Sequence, residues 1–291
     1  MCCDSGVSER RPEQLRAVAE QLAAEAAVFV RRRRAELFGG GAHPIPRGAV
    51  QAKSTPTDPV TLADTETEAL LRDRLARLRP GEPILGEEGG GPAHDAVGGV
   101  RWVLDPIDGT VNFLYGVPAY AVSVAAQIDG VSVAGAVADV VAGDVYSAAV
   151  GLGADVLRDG VRSRLQCSTA HDLSMALVGT GFGYAARRRA EQAALLARIL
   201  PVVRDVRRIG SAALDLCLVA AGHLDAHYEH GLHVWDWAAA ALIATEAGAV
   251  LVLPEPADEE VRAGLLVAAA PGIAAQLLDA LDRCGGLAPL D

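Results

Sequence analysis

The sequence predicts an α+β half followed by an α/β half. Three observations predict it. Two helical patterns open the chain and lead into strand-length apolar segments separated by tight turns, up to about residue 150. From residue 174 onward, strand and helix patterns alternate to the end. Motifs dense in acids and glycines stand where strands stop, which is where such folds place their chemistry.

The elements follow in order. Residues 1–11 carry no apolar pattern and are read as a disordered N-terminus. Leu15, Val18, Leu22, Ala26 and Phe29 recur at helical spacing and predict a helix over about 12–36. "GGGAHPIPRG" is loop. Thr61 can cap a second helix with Asp64 in its first turn and Leu71, Leu75 and Leu78 on its apolar stripe, and Pro80-Gly81 stops it. "PILGEEGGGP" is a short strand entering a glycine-rich loop. "VRWVLD" is a strand that ends at Asp105, because Pro106 cannot continue a ladder. Strands follow at about 119–128, 131–140 and 144–150, with turns at Asp129-Gly130 and Gly143-Asp144. The α/β part reads "MALVGTGF" strand, 187–200 helix, "DVRRIG" strand, 211–221 helix, "LDAHYEH" strand, 236–247 helix, "AVLVL" and "GLLVAAAP" strands, and a 272–283 helix. The two halves are placed at 12–155 and 156–288.

Composition bounds the function. The chain has 291 residues, 51% hydrophobic and 22% charged, enough for one large or two moderate domains. No run of 18 apolar residues and no apolar segment near the start suggest a membrane span or a secretory signal, so a cytoplasmic protein is expected. Cys2, Cys3, Cys167, Cys217 and Cys284 form no CxxC and fit reduced thiols; lipidation at Cys2 or Cys3 is set against a frayed start. A net charge of −11 argues against direct nucleic-acid or anionic-membrane binding. Lys53 is the single lysine among 26 basic side chains, in a chain where arginine is otherwise the cation.

The acids carry the chemistry. They are Glu87 and Glu88 in "GEEGGG", Asp105 and Asp108 in "DPIDGT", Asp236 in "VWDWA", and Asp64. Singly, each also reads as a cap, a turn residue or a solvated side chain. Together they read differently. Asp105 and Asp108 leave a strand end toward one volume, with the Ile107 carbonyl between them and Gly109 permitting the turn. Such hard oxygen donors suit Mg²⁺, which shares its shell with water and phosphate. Other signals are set aside. His223, His227, His230 and His233 resemble a zinc site, but an extended chain would not converge them. "GTGFGY" lacks the GxGxxG spacing of a dinucleotide site. Cys217 sits in an apolar helix and reads as packed.

"GEEGGG", "WVLDPIDGTVNF" and "VWDWAAAALIATEAGA", with "AKSTPTDPVTLAD" before them, resemble the inositol monophosphatase family over roughly residues 15–285. The resemblance implies a layered αβαβα sandwich and a homodimer. It implies two or three Mg²⁺ ions: Glu87, Asp105 and the Ile107 carbonyl on the first, Asp105, Asp108 and Asp236 on the second, and Glu87 near a third. Thr110 and Asp64 would orient the attacking water. Lys53 would lie near phosphate, and the N–H groups of Gly109 and Thr110 would cradle it. Asp108, Gly210, Ser211, Ala212 and Glu229 would contact the polyol. The implied reaction is hydrolysis of a small phosphate monoester, foremost myo-inositol 1-phosphate, by metal-activated water, with sensitivity to Li⁺. Fructose 1,6-bisphosphate, histidinol phosphate and a 3′-phosphoadenosine nucleotide stay open as substrates. So does a regulatory protein associated with RNA polymerase whose catalysis is incidental.

Overall fold

The computed structural model describes residues 11–39, 50–52, 59–92, 98–254 and 264–290. Helix α1 (Pro12–Phe38) starts with proline at its first position, where the missing N–H costs nothing. It buries Leu15, Ala19, Leu22, Ala26 and Val30 along one stripe. Strands β1 (Val50–Ala52) and β2 (Pro59–Thr61) pair antiparallel. Helix α2 (Leu62–Leu78) opens on a reciprocal cap. The Thr61 hydroxyl accepts from the Ala63 and Asp64 N–H groups, and Asp64 accepts from the Thr61 N–H.

Seven strands then form the first sheet: β3 (Ile84–Gly86), β4 (Val100–Asp108), β5 (Ala121–Ile128), β6 (Val131–Asp139), β7 (Val145–Ala149), β8 (Gly153–Arg158) and β9 (Val161–Arg164). They lie in chain order, with β3 parallel to β4 and every other pair antiparallel. The short helix α3 (Thr110–Tyr115) leaves the end of β4. The second sheet has the order β11–β10–β12–β14–β13. Its members are β10 (Leu177–Thr180), β11 (Asp205–Arg207), β12 (Ala226–His230), β13 (Val250–Val252) and β14 (Leu265–Ala269). Its helices are α4 (Ala186–Ile199), α5 (Ala212–Ala220), α6 (Val234–Glu246) and α7 (Pro271–Arg283).

Three cores define the layers. Apolar residues of α1 and α2 pack on one face of the first sheet through Trp102, Leu104 and Val122. The opposite face, through Val103, Ala125 and Val137, packs on α5 and α6, whose other sides meet Leu266 and Ala268 of β14. Leu195 and Ile199 of α4 and Ile273 and Leu277 of α7 cover the far face of the second sheet. The result is the αβαβα sandwich. Helix α6 lies between two sheets, so Ala238, Ala239, Ala240 and Ala241 are all buried. A helix covered all round needs small side chains on every face and shows little amphipathic stripe.

Two boundaries move from their sequence-based positions. The first sheet does not change over at 155–156: β8 straddles residue 155 and β9 carries the sheet to Arg164. Strand β9 is an exposed edge, Val-Arg-Ser-Arg, with no alternating apolar residue to betray it. Strand β4 does not end at Asp105. The ladder breaks between Asp105 and Asp108, as Pro106 requires, and then resumes with Asp108 opposite Ala121. No helix among the described residues is long and apolar enough to cross a membrane.

Candidate active site

The break in β4 makes the site. An irregularity at a strand end re-aims side chains, and here it sets Asp105 and Asp108 toward one cavity. The Asp105 Oδ1 accepts the Ile107 N–H at 3.0 Å. The Asp108 Oδ2 accepts the Ser211 hydroxyl at 2.6 Å and the Ala213 N–H at 2.7 Å, at the start of α5. Asp236 stands in the first turn of α6, and its Oδ2 accepts the His233 N–H at 2.6 Å. The three aspartates can bring one oxygen each within 4.8 Å of one another. Two elements distant in sequence, β4 and α6, therefore deliver acids to one point, with the start of α5 anchoring Asp108.

Electrostatics mark the cluster as a place for cations. Burial pushes the Asp105 carboxyl well above its ordinary range, and the charges of Glu87, Asp108 and Asp236 push it further. Asp236 is raised in the same way, first by burial and then by Asp108 and Glu87. Asp108 rises to about 6 through burial, held back by its bonds from Ser211 and Ala213. Carboxylates gathered at low exposure stay ionised only when positive charge offsets their repulsion. The donors that converge among the described residues are carboxylates, a set that fits Mg²⁺ and not a soft metal. The acid cluster can thus hold a metal ion.

Other expected residues gather on the same cavity, which has a volume of about 470 Å³ and is lined by Glu87, Ile107, Gly109, Thr110, Gly210, Ser211, Ala212 and Glu229 among others. Gly109 has φ +94°, in the left-handed region, and caps α3. The Thr110 hydroxyl lies 3.1 Å from Asp64 Oδ1 and 3.0 Å from the Ile107 carbonyl, so its proton has two acceptors and its lone pairs stay available. The far oxygen of Asp64 is held by the Thr61 N–H and hydroxyl. Ser211 is committed to Asp108 and to capping α5, where it accepts the Leu214 N–H. Lys53 lies outside the described residues.

Some participants had no clear motif. Glu68 of α2 is buried and accepts the Glu88 N–H at 2.7 Å and the Gly89 N–H at 2.8 Å. Arg72 bonds Glu68 at 2.7 Å and the Gly90 carbonyl at 2.6 Å. Together they clamp the turn that carries Glu87. Their i,i+4 spacing was the available signal, though it resembles any exposed helical ion pair. Tyr184, Arg188, Arg208 and Trp235 also line the cavity. The histidine run divides. His227 is buried, His230 Nε2 lies 2.8 Å from the Gly286 carbonyl, and the His233 ring stacks on Trp235 at 4.6 Å. Cys217 is fully buried.

A model of the inositol monophosphatase family matches residues 11–285. The chain belongs to the inositol monophosphatase family. By that membership it is an enzyme, a phosphatase. It is 68% identical over 287 residues to the inositol-1-monophosphatase of Mycobacterium leprae, covering 98% of this chain and 99% of that relative. It is 63% identical over 289 residues to the inositol-1-monophosphatase SuhB of Mycobacterium tuberculosis, covering 97% and 98%. The solved Mycobacterium tuberculosis SuhB structure superposes with a TM-score of 0.81 at 59% identity, covering 96% of this chain and all of that one. The Nus factor SuhB of Pasteurella multocida is 36% identical over 236 residues, covering 80% and 85%. Within the family fold, the αβαβα layers place the acid cluster and Glu229 in the lining of one cavity.

Proposed function

We propose that this chain hydrolyses myo-inositol 1-phosphate to inositol and phosphate in a Mg²⁺-dependent reaction. The observation that carries the reading is the convergence of Asp105, Asp108 and Asp236 beside Glu87 in a cavity that Glu229 also lines. Glu87, Asp105 and the Ile107 carbonyl would hold one ion, and Asp105, Asp108 and Asp236 a second, with Glu87 near a third. Mg²⁺ in these places supplies positive charge against the phosphate and brings the pKa of water toward neutrality.

The chain's own groups do the rest. Asp64 takes up the Thr110 hydrogen, so the Thr110 oxygen can accept a hydrogen bond from the attacking water and fix its direction. The N–H groups of Gly109 and Thr110 hold the phosphate, and Lys53, outside the described residues, is expected to act beside it. Glu229 accepts a hydrogen bond from a ring hydroxyl. Gly210 and Ala212 contribute backbone beside the polyol, while Ser211 acts through its bond to Asp108. The working form is a homodimer, to be checked by light scattering.

The test is a phosphate-release panel with Mg²⁺ titrated. It compares myo-inositol 1-phosphate with fructose 1,6-bisphosphate, histidinol phosphate and a 3′-phosphoadenosine nucleotide. Highest kcat/KM on the first, and none in excess chelator, is expected. Preference for another ester overturns the substrate; turnover in chelator overturns the metal. A second reading, regulation with catalysis incidental, has the Pasteurella relative's name behind it. An inactive Asp105→Asn chain that still restored a regulatory defect in cells would favour it.

A further inference from the structure

Strand β12 carries a buried imidazole that the reaction above does not use. His227 and Glu229 are two residues apart on a strand, so their side chains leave the same face. His227 is fully buried, with Nε2 3.4 Å from Glu229 Oε2 and Nδ1 3.9 Å from Oδ2 of Asp215. Asp215 belongs to the first turn of α5 and is itself 1% exposed. Neither ring nitrogen meets strict hydrogen-bond geometry with another group among the described residues, and the two carboxylates are its nearest polar neighbours. A buried polar ring is costly unless it is satisfied by the carboxylates beside it. Burial opposes a charge on His227, but Asp215 and then Glu229 outweigh it and raise its pKa.

The neighbouring strand makes room for this group. Strand β10 pairs Gly179 with His227. A Cβ on Gly179 would stand 2.9 Å from His227 Nδ1 and 3.1 Å from Asp215 Oδ1. One on Gly181 would stand 2.0 Å from the Glu229 carboxylate. Neither glycine has positive φ, so backbone conformation does not explain them. Clearance for the side chains of β12 and α5 does. The glycines of "GTGF" thereby gain a reason unrelated to nucleotide binding.

We propose that His227, backed by Asp215, is a positioning residue that aims the Glu229 carboxylate at a substrate hydroxyl, in the clearance left by Gly179 and Gly181. One oxygen of Glu229 faces the imidazole and the other is left for the cavity. A glutamate fixed before substrate arrives loses less side-chain freedom on binding, which strengthens recognition without any new contact. The inference rests on the reading of Glu229 as the polyol acceptor.

The test is a double-mutant cycle read with two substrates, myo-inositol 1-phosphate and glycerol 2-phosphate. His227→Leu raises KM for the inositol ester roughly tenfold, the size expected when a charge-assisted hydrogen bond is weakened rather than lost. The kcat and the glycerol ester change little, because the acid cluster is untouched. In a Glu229→Ala background, His227→Leu has no further effect. His227→Gln, which keeps a donor toward Glu229, recovers most of the loss and serves if the leucine variant fails to fold. Equal loss on both substrates, or a loss that persists without Glu229, makes His227 merely structural and overturns the proposal. A selective loss in Glu229→Ala with none in the His227 variants overturns this proposal alone. No selective loss in Glu229→Ala overturns the polyol reading and this proposal with it.

Discussion

On one wall of the cavity, Asp105, Asp108 and Asp236 each take at least one backbone N–H, from Ile107, Ala213 and His233. On the other wall, Glu229 rises from β12 with a buried imidazole as its neighbour and takes no such anchor among the described residues. The contrast teaches where the molecule is rigid in kind and where it is adjustable. Backbone donors at a strand break and at helix starts are set by the fold itself, so the acids can hold cations in fixed places. A carboxylate aimed by another side chain can be retuned by one substitution on either strand. The first wall suits chemistry common to phosphate esters. The second suits choosing among them.

Breaking the first wall gives the largest effects. Asp105→Asn removes the charge proposed to be shared by two ion positions, so turnover and Mg²⁺ binding, followed by calorimetry, should both be lost; retained binding would separate Asp105 from the metals. Thr110→Ala keeps the acids and loses only an orienting hydroxyl. Its kcat falls by roughly 10²–10⁴, the range for positioned proton-transfer groups, with KM little changed. A near wild-type rate would remove the Thr110–Asp64 pair from the reaction. Glu68→Ala frees the turn bearing Glu87 without touching an ion. Mg²⁺ affinity should drop by roughly 10–100-fold, as for groups that orient metal ligands. An unchanged affinity would make the clamp purely structural.

The smallest effect is one of stability. In the metal-free chain the acids have folded-state pKa values above their unfolded ones, Asp108 at about 6 and Asp105 and Asp236 well above the ordinary carboxylate range. Their folded state holds protons more tightly, so the stability these groups contribute is fully present below about pH 4 and is lost as pH rises through their folded-state values. Mg²⁺ bound at the proposed place would replace the protons. The rise in Tm on adding Mg²⁺ is therefore larger at pH 8 than at pH 5, and a rise independent of pH would contradict the cluster as the binding place.

Much of the first wall was legible. "WVLDPIDGT" shows the strand, the proline that interrupts it, the glycine that turns it and both acids, because local backbone chemistry dictates all four. Asp236 was readable as the start of a helix, and the Thr61–Asp64 cap was readable from spacing. What was not legible depends on packing between distant segments. Nothing near Glu68 says that its carboxylate reaches twenty residues forward to the Glu88 N–H. Strand β9 is charged and exposed, and only its ladder with β8 makes it a strand. His227 looked like one of four histidines in a row; its neighbours Asp215 and Gly179 come from a helix and a strand that only the second sheet brings together.

The division of labour between the walls is tested most directly by Glu229→Ala measured on two esters with saturating Mg²⁺. One charge-assisted hydrogen bond is worth roughly 1.5–3 kcal/mol, so kcat/KM for myo-inositol 1-phosphate should fall about 10–150-fold. Glycerol 2-phosphate, which lacks the ring hydroxyl, should lose far less. An equal loss on both would mean that Glu229 serves the acid cluster or the fold, and the second wall would not be reading the substrate.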